Sequence, residues 1–180
     1  MDATVIRELV AEAAEGRELT LVGIGGFGCA GKSTLAREIP GAQIVATDAF
    51  WDGSGFALDR LRRDVIEPLL AGETASFEAW DWAATMPLGT VTVTPAGVVV
   101  VEGVCALHRD FRSAYALRVW VDVDRSTRLE RAVARDGEAA RSTWVEEWMP
   151  REERYVAEDQ PVASADAILD GDGNLVSRSH

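Results

Sequence analysis

GIGGFGCAGKST, residues 23–34, satisfies two phosphate-binding patterns at once. Gly23, Gly25 and Gly28 fit G-x-G-x-x-G, a dinucleotide fingerprint, while Gly26, Gly31, Lys32 and Ser33 fit G-x-x-x-x-G-K-[ST], the P-loop pattern. The first pattern expects an acidic residue about 20 positions on, at the end of a second strand, and Asp48 stands there. Three glycines in a glycine-dense stretch are nevertheless a weak signal. The second pattern also fixes a lysine and a hydroxyl residue, and it follows an apolar strand-like run, LTLVGI. Its physics accounts for each position. Gly26, Phe27, Gly28, Cys29, Ala30 and Gly31 form a loop whose backbone N–H groups turn toward phosphate oxygens, and the helix opening with Lys32, Ser33 and Thr34 adds its positive end. Lys32 reaches the β- and γ-phosphates of a nucleoside triphosphate, and Ser33 offers its hydroxyl to Mg²⁺. The segment reads as a P-loop. Cys29 reads as a small residue that the loop tolerates rather than as a redox switch.

Composition sharpens this reading. Of 18 basic side chains, Lys32 is the lone lysine, so a chain that otherwise uses arginine has lysine where a P-loop needs it. The net charge of −12 argues against DNA or RNA as the main partner. A length of 180 residues suits one domain over 1–180 with a sizeable core. No apolar run approaches the roughly 20 residues needed to span a bilayer, so no membrane partner is expected. The opening MDATVIRELVAEAAEG lacks the basic and apolar regions of a secretory signal, and two cysteines are too few for a disulfide scaffold. The expected compartment is the cytoplasm. The oligomeric state is left open.

The apolar spacing predicts a helix over 3–14, a buried strand over 19–24, a helix from Lys32 to before Pro40, and a strand over 43–47. Leu58, Leu61, Val65, Ile66, Leu69 and Leu70 form a helical stripe. TVTVT (90–94) alternates, VVVV (98–101) reads as a buried strand, and 117–122 as another. A helix over 124–134, a long charged helix over 138–158 and a strand over 166–170 follow. Strands alternating with helices imply an α/β fold, a parallel sheet covered on both faces, with ligand chemistry at the carboxyl ends of its strands. The P-loop, Asp48 and Glu102 all fall at such ends.

Absent motifs narrow the function. The Asn-Lys-x-Asp motif of a GTPase cannot be formed, because Asn174 and Lys32 are the sole residues of their types, and no Leu-Ser-Gly-Gly signature of a transporter ATPase occurs. A small phosphotransferase remains. Asp48 is the candidate general base for an attacking hydroxyl, and Glu102, directly after four apolar residues, is the candidate acid that helps hold Mg²⁺. Arg128, Arg131 and Arg135 lie at helical spacing, with Arg141, Arg151 and Arg154 beyond them. Arg131 and Arg135 are the choices for neutralising the transferred phosphoryl group. Trp51, Trp80 and Trp82 are candidates to line an acceptor pocket, whereas Trp120, Trp144 and Trp148 read as core or lid packing.

Several ordered segments together resemble the uridine kinase-like family of P-loop kinases. They are GIGGFGCAGKST (23–34), TDAFW (47–51), LLAGETASFEAWDW (69–82), VVVVEGV (98–104), VDVDRSTRLERAVARD (121–136) and SADAILDG (164–171). The resemblance implies a three-layer P-loop NTPase sandwich, with five parallel strands and a helical lid over about 135–158. It implies ATP and Mg²⁺, with Asp48 as catalytic base alongside Lys32, Arg131 and Arg135. Trp80 stands where the family stacks a tyrosine on substrate, and Asp81 is the acid of the same Tyr-Asp-Phe-like stretch. The chain departs from the family at the nucleoside end. Thr85 and Pro87 stand where a base-reading His and Arg are expected. Ala57 follows Phe56 where a ribose-holding Asp is expected, although Asp59 is close by. The phosphate acceptor is therefore expected to be a small-molecule alcohol, either of the uridine or cytidine type or a non-nucleoside such as pantothenate, a sugar or glycerate. A nucleotide-binding regulator without catalysis is the alternative from another class.

Overall fold

The computed structural model describes residues 3–51, 55–81 and 86–179, with the backbone alone for 81, 87 and 88. Its centre is a sheet of six strands in the order β2-β5-β1-β6-β7-β8. These are β1 (Leu19–Gly26), β2 (Gln43–Ala46), β5 (Gly97–Glu102), β6 (Leu117–Asp122), β7 (Ala167–Asp170) and β8 (Leu175–Arg178). The first five pair in parallel, as expected for buried strands joined by helical crossovers.

The expectation of five strands needs one correction: β8 runs antiparallel to β7 at the edge. Asp170 accepts the backbone N–H of both Asp172 and Asn174 at 2.9 Å, which turns the chain back on itself. All four β8 residues are exposed, so no buried face left a pattern in the sequence.

Alternation along the strands sends side chains to both faces of the sheet. Leu21, Val99, Val101 and Trp120 face one core, which Leu61, Val65, Ile66 and Leu69 close. Val22, Ile24, Val100, Val119 and Val121 face the other, under Ile6, Leu9 and Val10 of the helix Thr4–Ala14 and Leu35 of the P-loop helix Lys32–Arg37.

TVTVT does form a strand, but outside the main sheet. It belongs to β4 (Met86–Val93), which pairs antiparallel with β3 (Ala75–Asp81) and packs Phe77, Ala79 and Val93 against the first core. A register shift at Ala79/Trp80 interrupts this hairpin.

Both long helical runs contain one wide π turn, and both have the same cause. In 58–70 the π turn is Arg62–Ile66, followed by Pro68; in 141–159 it is Trp144–Trp148, followed by Pro150. A proline lacks the N–H for its i−4 carbonyl and clashes with it, and one wider turn relieves that clash. The charged helix expected over 138–158 is thus helical throughout but not regular: it begins as a 3₁₀ turn at Glu138–Ala140 and ends at Asp159. Trp144 and Met149 pack on Ala132 of the preceding helix, Arg125–Asp136, forming a small third core.

Candidate active site

Strand register brings the candidate groups together. Glu102 ends β5 and lies opposite Ala46 of β2 on one side and Ile24 of β1 on the other. The chain leaves β1 into the P-loop and leaves β2 into the turn Thr47–Phe50 that carries Asp48. Three strand ends therefore deliver Lys32, Asp48 and Glu102 to one edge of the sheet. They line a cleft of about 1150 Å³ together with Gly28, Cys29, Gly31, Ser33 and Thr34.

The backbone of the loop is shaped for anions. Gly26, Cys29 and Gly31 take positive φ, +153°, +61° and +104°, and the alternation of Cys29, Ala30 and Gly31 turns successive amides to one side. Cys29 is a non-glycine residue in the left-handed region, at a cost of roughly 1–2 kcal/mol. Burial raises its thiol pKa, which fits a tolerated small residue better than a reactive one.

Lys32 is buried and its Nζ donates to Phe27 O at 2.8 Å across the loop. Burial lowers its pKa, and Glu102, Asp48 and Glu152 oppose that shift. Asp48 has the converse balance: burial raises its pKa, while Lys32 and then Arg135 lower it. Glu102 is likewise raised by burial, against Lys32 and a hydrogen bond in which Ser33 Oγ donates to Glu102 Oε1 at 2.9 Å. For each carboxylate, Lys32 is the leading group that favours the charged form.

Ser33 and Glu102 supply two adjacent oxygen donors in a polar, cation-accepting corner. Mg²⁺ is commonly held by one or two carboxylates, with the remaining positions filled by water and substrate phosphates. Among the described residues there is no cluster of three or more His, Cys, Asp or Glu side chains for a metal. A metal here would be held jointly by Ser33, Glu102 and phosphate oxygens, and the residues fit that arrangement.

The helix Arg125–Asp136 lies over the loop. Arg131 donates through Nη1 to Cys29 O and Ala30 O at 3.4 and 3.3 Å, and Arg135 pairs with Asp136 at 2.7 Å while lying over the Trp144 ring. Both arginines line the cleft. Arg128 does not: it is buried with its guanidinium 4.1 Å from the Phe27 ring centroid and its Nε on Val123 O. It fixes the loop from behind. Arg141, Arg151 and Arg154 are exposed.

The expected acceptor residues are only partly gathered here. Trp51 sits behind the cleft wall, with its ring 5.3 Å from Phe56 and 5.5 Å from Trp148, both of which line the cleft. Trp148 and Trp144, read from sequence as packing residues, are cleft residues as well. Asp59 is exposed on the helical run 58–70, and neither it nor Trp80 is among the lining residues. The side chain of Asp81, and Trp82 and Thr85, lie outside the described residues.

Glu152 was not singled out by any motif. It is buried, and its Oε2 accepts the backbone N–H of Gly28 at 3.0 Å. The buried stripe Met149, Glu152 and Asp159 along one helix face was the available signal, since it places two carboxylates on an inward-facing surface.

Gly103, just past Glu102, is required by its backbone. Its φ is +145°, and a Cβ there would overlap Thr47 Oγ1 and stand 2.8 Å from Thr47 Cβ. Thr47 is fully buried and directly precedes Asp48. Gly103→Ala is expected to cost roughly 2–5 kcal/mol of stability, read as a lower urea midpoint. An unchanged midpoint would mean that this crossing is loosely packed.

Comparison with known proteins agrees with this geometry at the level of fold. No protein-family model matches the chain. A uridine kinase from Halobacterium salinarum is 27% identical over 139 residues, which is 64% of this chain and 61% of that protein. The chain thus spans about three-fifths of the length of that curated relative. A protein provisionally named a fructose transport system kinase, from Silicibacter sp. TM1040, superposes with a TM-score of 0.67 at 21% identity, over 79% of this chain and 89% of its own. A protein provisionally named a uridine kinase, from Bacillus stearothermophilus, gives 0.67 at 14% identity, over 93% and 100%. A D-glycerate 3-kinase from Cryptococcus neoformans gives 0.52 at 10% identity, over 98% and 97%. The resemblance to the uridine kinase-like family of P-loop kinases holds in sequence and in fold.

Proposed function

We propose that this protein is an ATP-dependent kinase that transfers the γ-phosphate of Mg-ATP to a hydroxyl group of a small molecule. The observation that carries the proposal is the convergence of Lys32, the Ser33–Glu102 hydrogen bond and Asp48 in one cleft at the carboxyl edge of the sheet. The loop amides and Lys32 bind the triphosphate and keep its terminal phosphate in place. Mg²⁺, when bound, neutralises phosphate charge and orients the terminal group for in-line attack. Asp48 accepts the proton of the attacking hydroxyl as the new P–O bond forms. Arg131 and Arg135 face the equatorial oxygens, where charge builds as the bond to ADP breaks. The helical segment over about 135–158 serves as the lid.

The acceptor belongs to one of two groups. A uridine or cytidine type follows from the family resemblance. A sugar or glycerate type is favoured by Thr85 and Pro87 in place of the base-reading His and Arg, and by the names of two of the structural relatives. A panel of nucleosides, hexoses, pantothenate and glycerate, assayed for acceptor-stimulated ADP release, separates these groups. Stimulation by one class is the expected result. ATP binding without stimulation by any acceptor would favour a nucleotide-binding regulator.

Burial of Asp48 also sets a pH dependence. A general base works only when deprotonated, and its raised pKa moves protonation to higher pH. The acid limb of kcat/KM should therefore lie above the ordinary Asp value of about 3.9, with activity falling as pH drops through it. A limb at or below that value would exclude Asp48 as the titrating base.

A further inference from the structure

We propose that Glu152 is a built-in occupant of the phosphate cradle, a latch that holds the lid helix Met149–Asp159 on the P-loop and is displaced by incoming nucleotide. The proposal rests on the reading of the loop as a triphosphate site, and adds to it a competitor supplied by the chain itself.

The contact has the chemistry of a bound phosphate oxygen. Glu152 Oε2 accepts the Gly28 N–H at 3.0 Å, with Arg128 Nη1 at 3.6 Å and Lys32 close enough to act on its charge. A loop amide on an anionic oxygen, with the loop lysine acting on its charge from beyond ion-pair distance, is part of what a P-loop offers to phosphate, and Arg128 adds its charge from behind the loop. The approach is close: a Cβ at residue 28 would stand 2.5 Å from Glu152 Oε1 and 2.8 Å from the Trp144 ring. A side chain at 28 would therefore have to displace the carboxylate or the Trp144 ring.

The rest of the helix holds Glu152 in this position. Met149, one turn earlier, is buried with Trp144 and Ala132. Asp159, two turns later, pairs with Arg109 at 2.5 Å and Arg112 at 3.1 Å. Between these two anchors Glu152 is the buried residue of the helix.

The carboxylate and a phosphate cannot share the site. Gly28 N–H is a single donor, and Asp48 already adds negative charge nearby. Charges of like sign a few ångströms apart in a buried cleft repel strongly. The latch is also built to release. Arg128 Nη1 is buried without a hydrogen-bond partner among the described residues, and 3.6 Å is an ion pair rather than a hydrogen bond. One amide hydrogen bond is what nucleotide has to replace. Apparent affinity is then the intrinsic affinity scaled by the fraction of molecules with the loop released, and freeing Gly28 N–H shifts the lid helix that carries the plug.

The test is Mg-ATP affinity by isothermal titration calorimetry for the full chain and for Glu152→Gln and Glu152→Ala, with thermal midpoints recorded with and without nucleotide. Glu152→Ala is expected to bind roughly ten-fold more tightly, with a lower midpoint in the absence of nucleotide and a larger rise on adding it. Glu152→Gln, whose amide oxygen can still accept the Gly28 N–H but carries no charge, is expected to shift in the same direction by a smaller factor. Glu152→Gln keeps the shape and decides the matter if Glu152→Ala does not fold. Binding by the unmutated protein with equal or weaker affinity in the folded variants would overturn the latch and leave the triphosphate site standing. No binding by any of the three proteins would overturn both.

Discussion

Asp48→Asn is expected to lower phosphoryl transfer by about 10²–10⁴-fold while leaving Mg-ATP affinity within a few-fold. Asparagine keeps the size of the side chain and removes its capacity to take a proton. The neighbouring groups limit the change in binding: Asp48 opposes Lys32 in charge, and losing one buried carboxylate from the group Asp48, Glu102 and Glu152 does not weaken attraction for phosphate. Steady-state transfer rates and equilibrium binding, measured on the same preparation, separate the two quantities. Transfer at the unmutated rate would mean that another group, or solvent, takes the proton.

Lys32→Ala should have the other large effect, a fall in kcat/KM for ATP of about 10³-fold. Here binding and transfer both suffer, because the ammonium serves the bound phosphates and the developing charge alike. Buried Glu102, Asp48 and Glu152 also lose the cation that opposes their desolvation, so their pKa values move further upward. Lys32→Arg is not expected to restore activity. The broader guanidinium cannot replace an ammonium that reaches Phe27 O at 2.8 Å within the loop. Near-normal turnover of Lys32→Ala would remove the loop from the mechanism.

Much of this architecture could be read from the sequence because its cause is local. The P-loop, the apolar strands VVVV and LTLVGI and the stripe over 58–70 each carry their signal in consecutive or closely spaced residues. Asp48, Glu102 and the loop were placed at strand ends, and the register of β2, β5 and β1 brings them together. What could not be read depends on tertiary context. Strand β8 buries none of its residues, so it has no pattern. The β3–β4 hairpin packs over the helical run 58–70 rather than joining the main sheet, and alternation alone does not name a partner strand. Glu152 lies 124 residues from Gly28 in the chain, and the stripe it shares with Met149 and Asp159 points inward without naming a loop so distant as its partner. Arg128 looked equivalent to Arg131 and Arg135 by spacing. Its direction is set by the ring of Phe27, and that contact takes it behind the loop.

The names of the structural relatives already span a nucleoside, a sugar-transport system and glycerate. In this chain the P-loop groups share the cleft with an aromatic wall of Phe56, Trp144 and Trp148, and under the proposed function that wall is where an acceptor would be selected.

The most direct test of γ-phosphate transfer to a hydroxyl follows the fate of that phosphate. Mg-ATP labelled in the γ-position is incubated with the protein and each acceptor of the panel, and the products are separated. Label in a phosphate ester of one acceptor class, lost in Asp48→Asn, is the expected result. Label released only as inorganic phosphate, or retained in ATP with every acceptor, would contradict the assignment of this cleft as a kinase site.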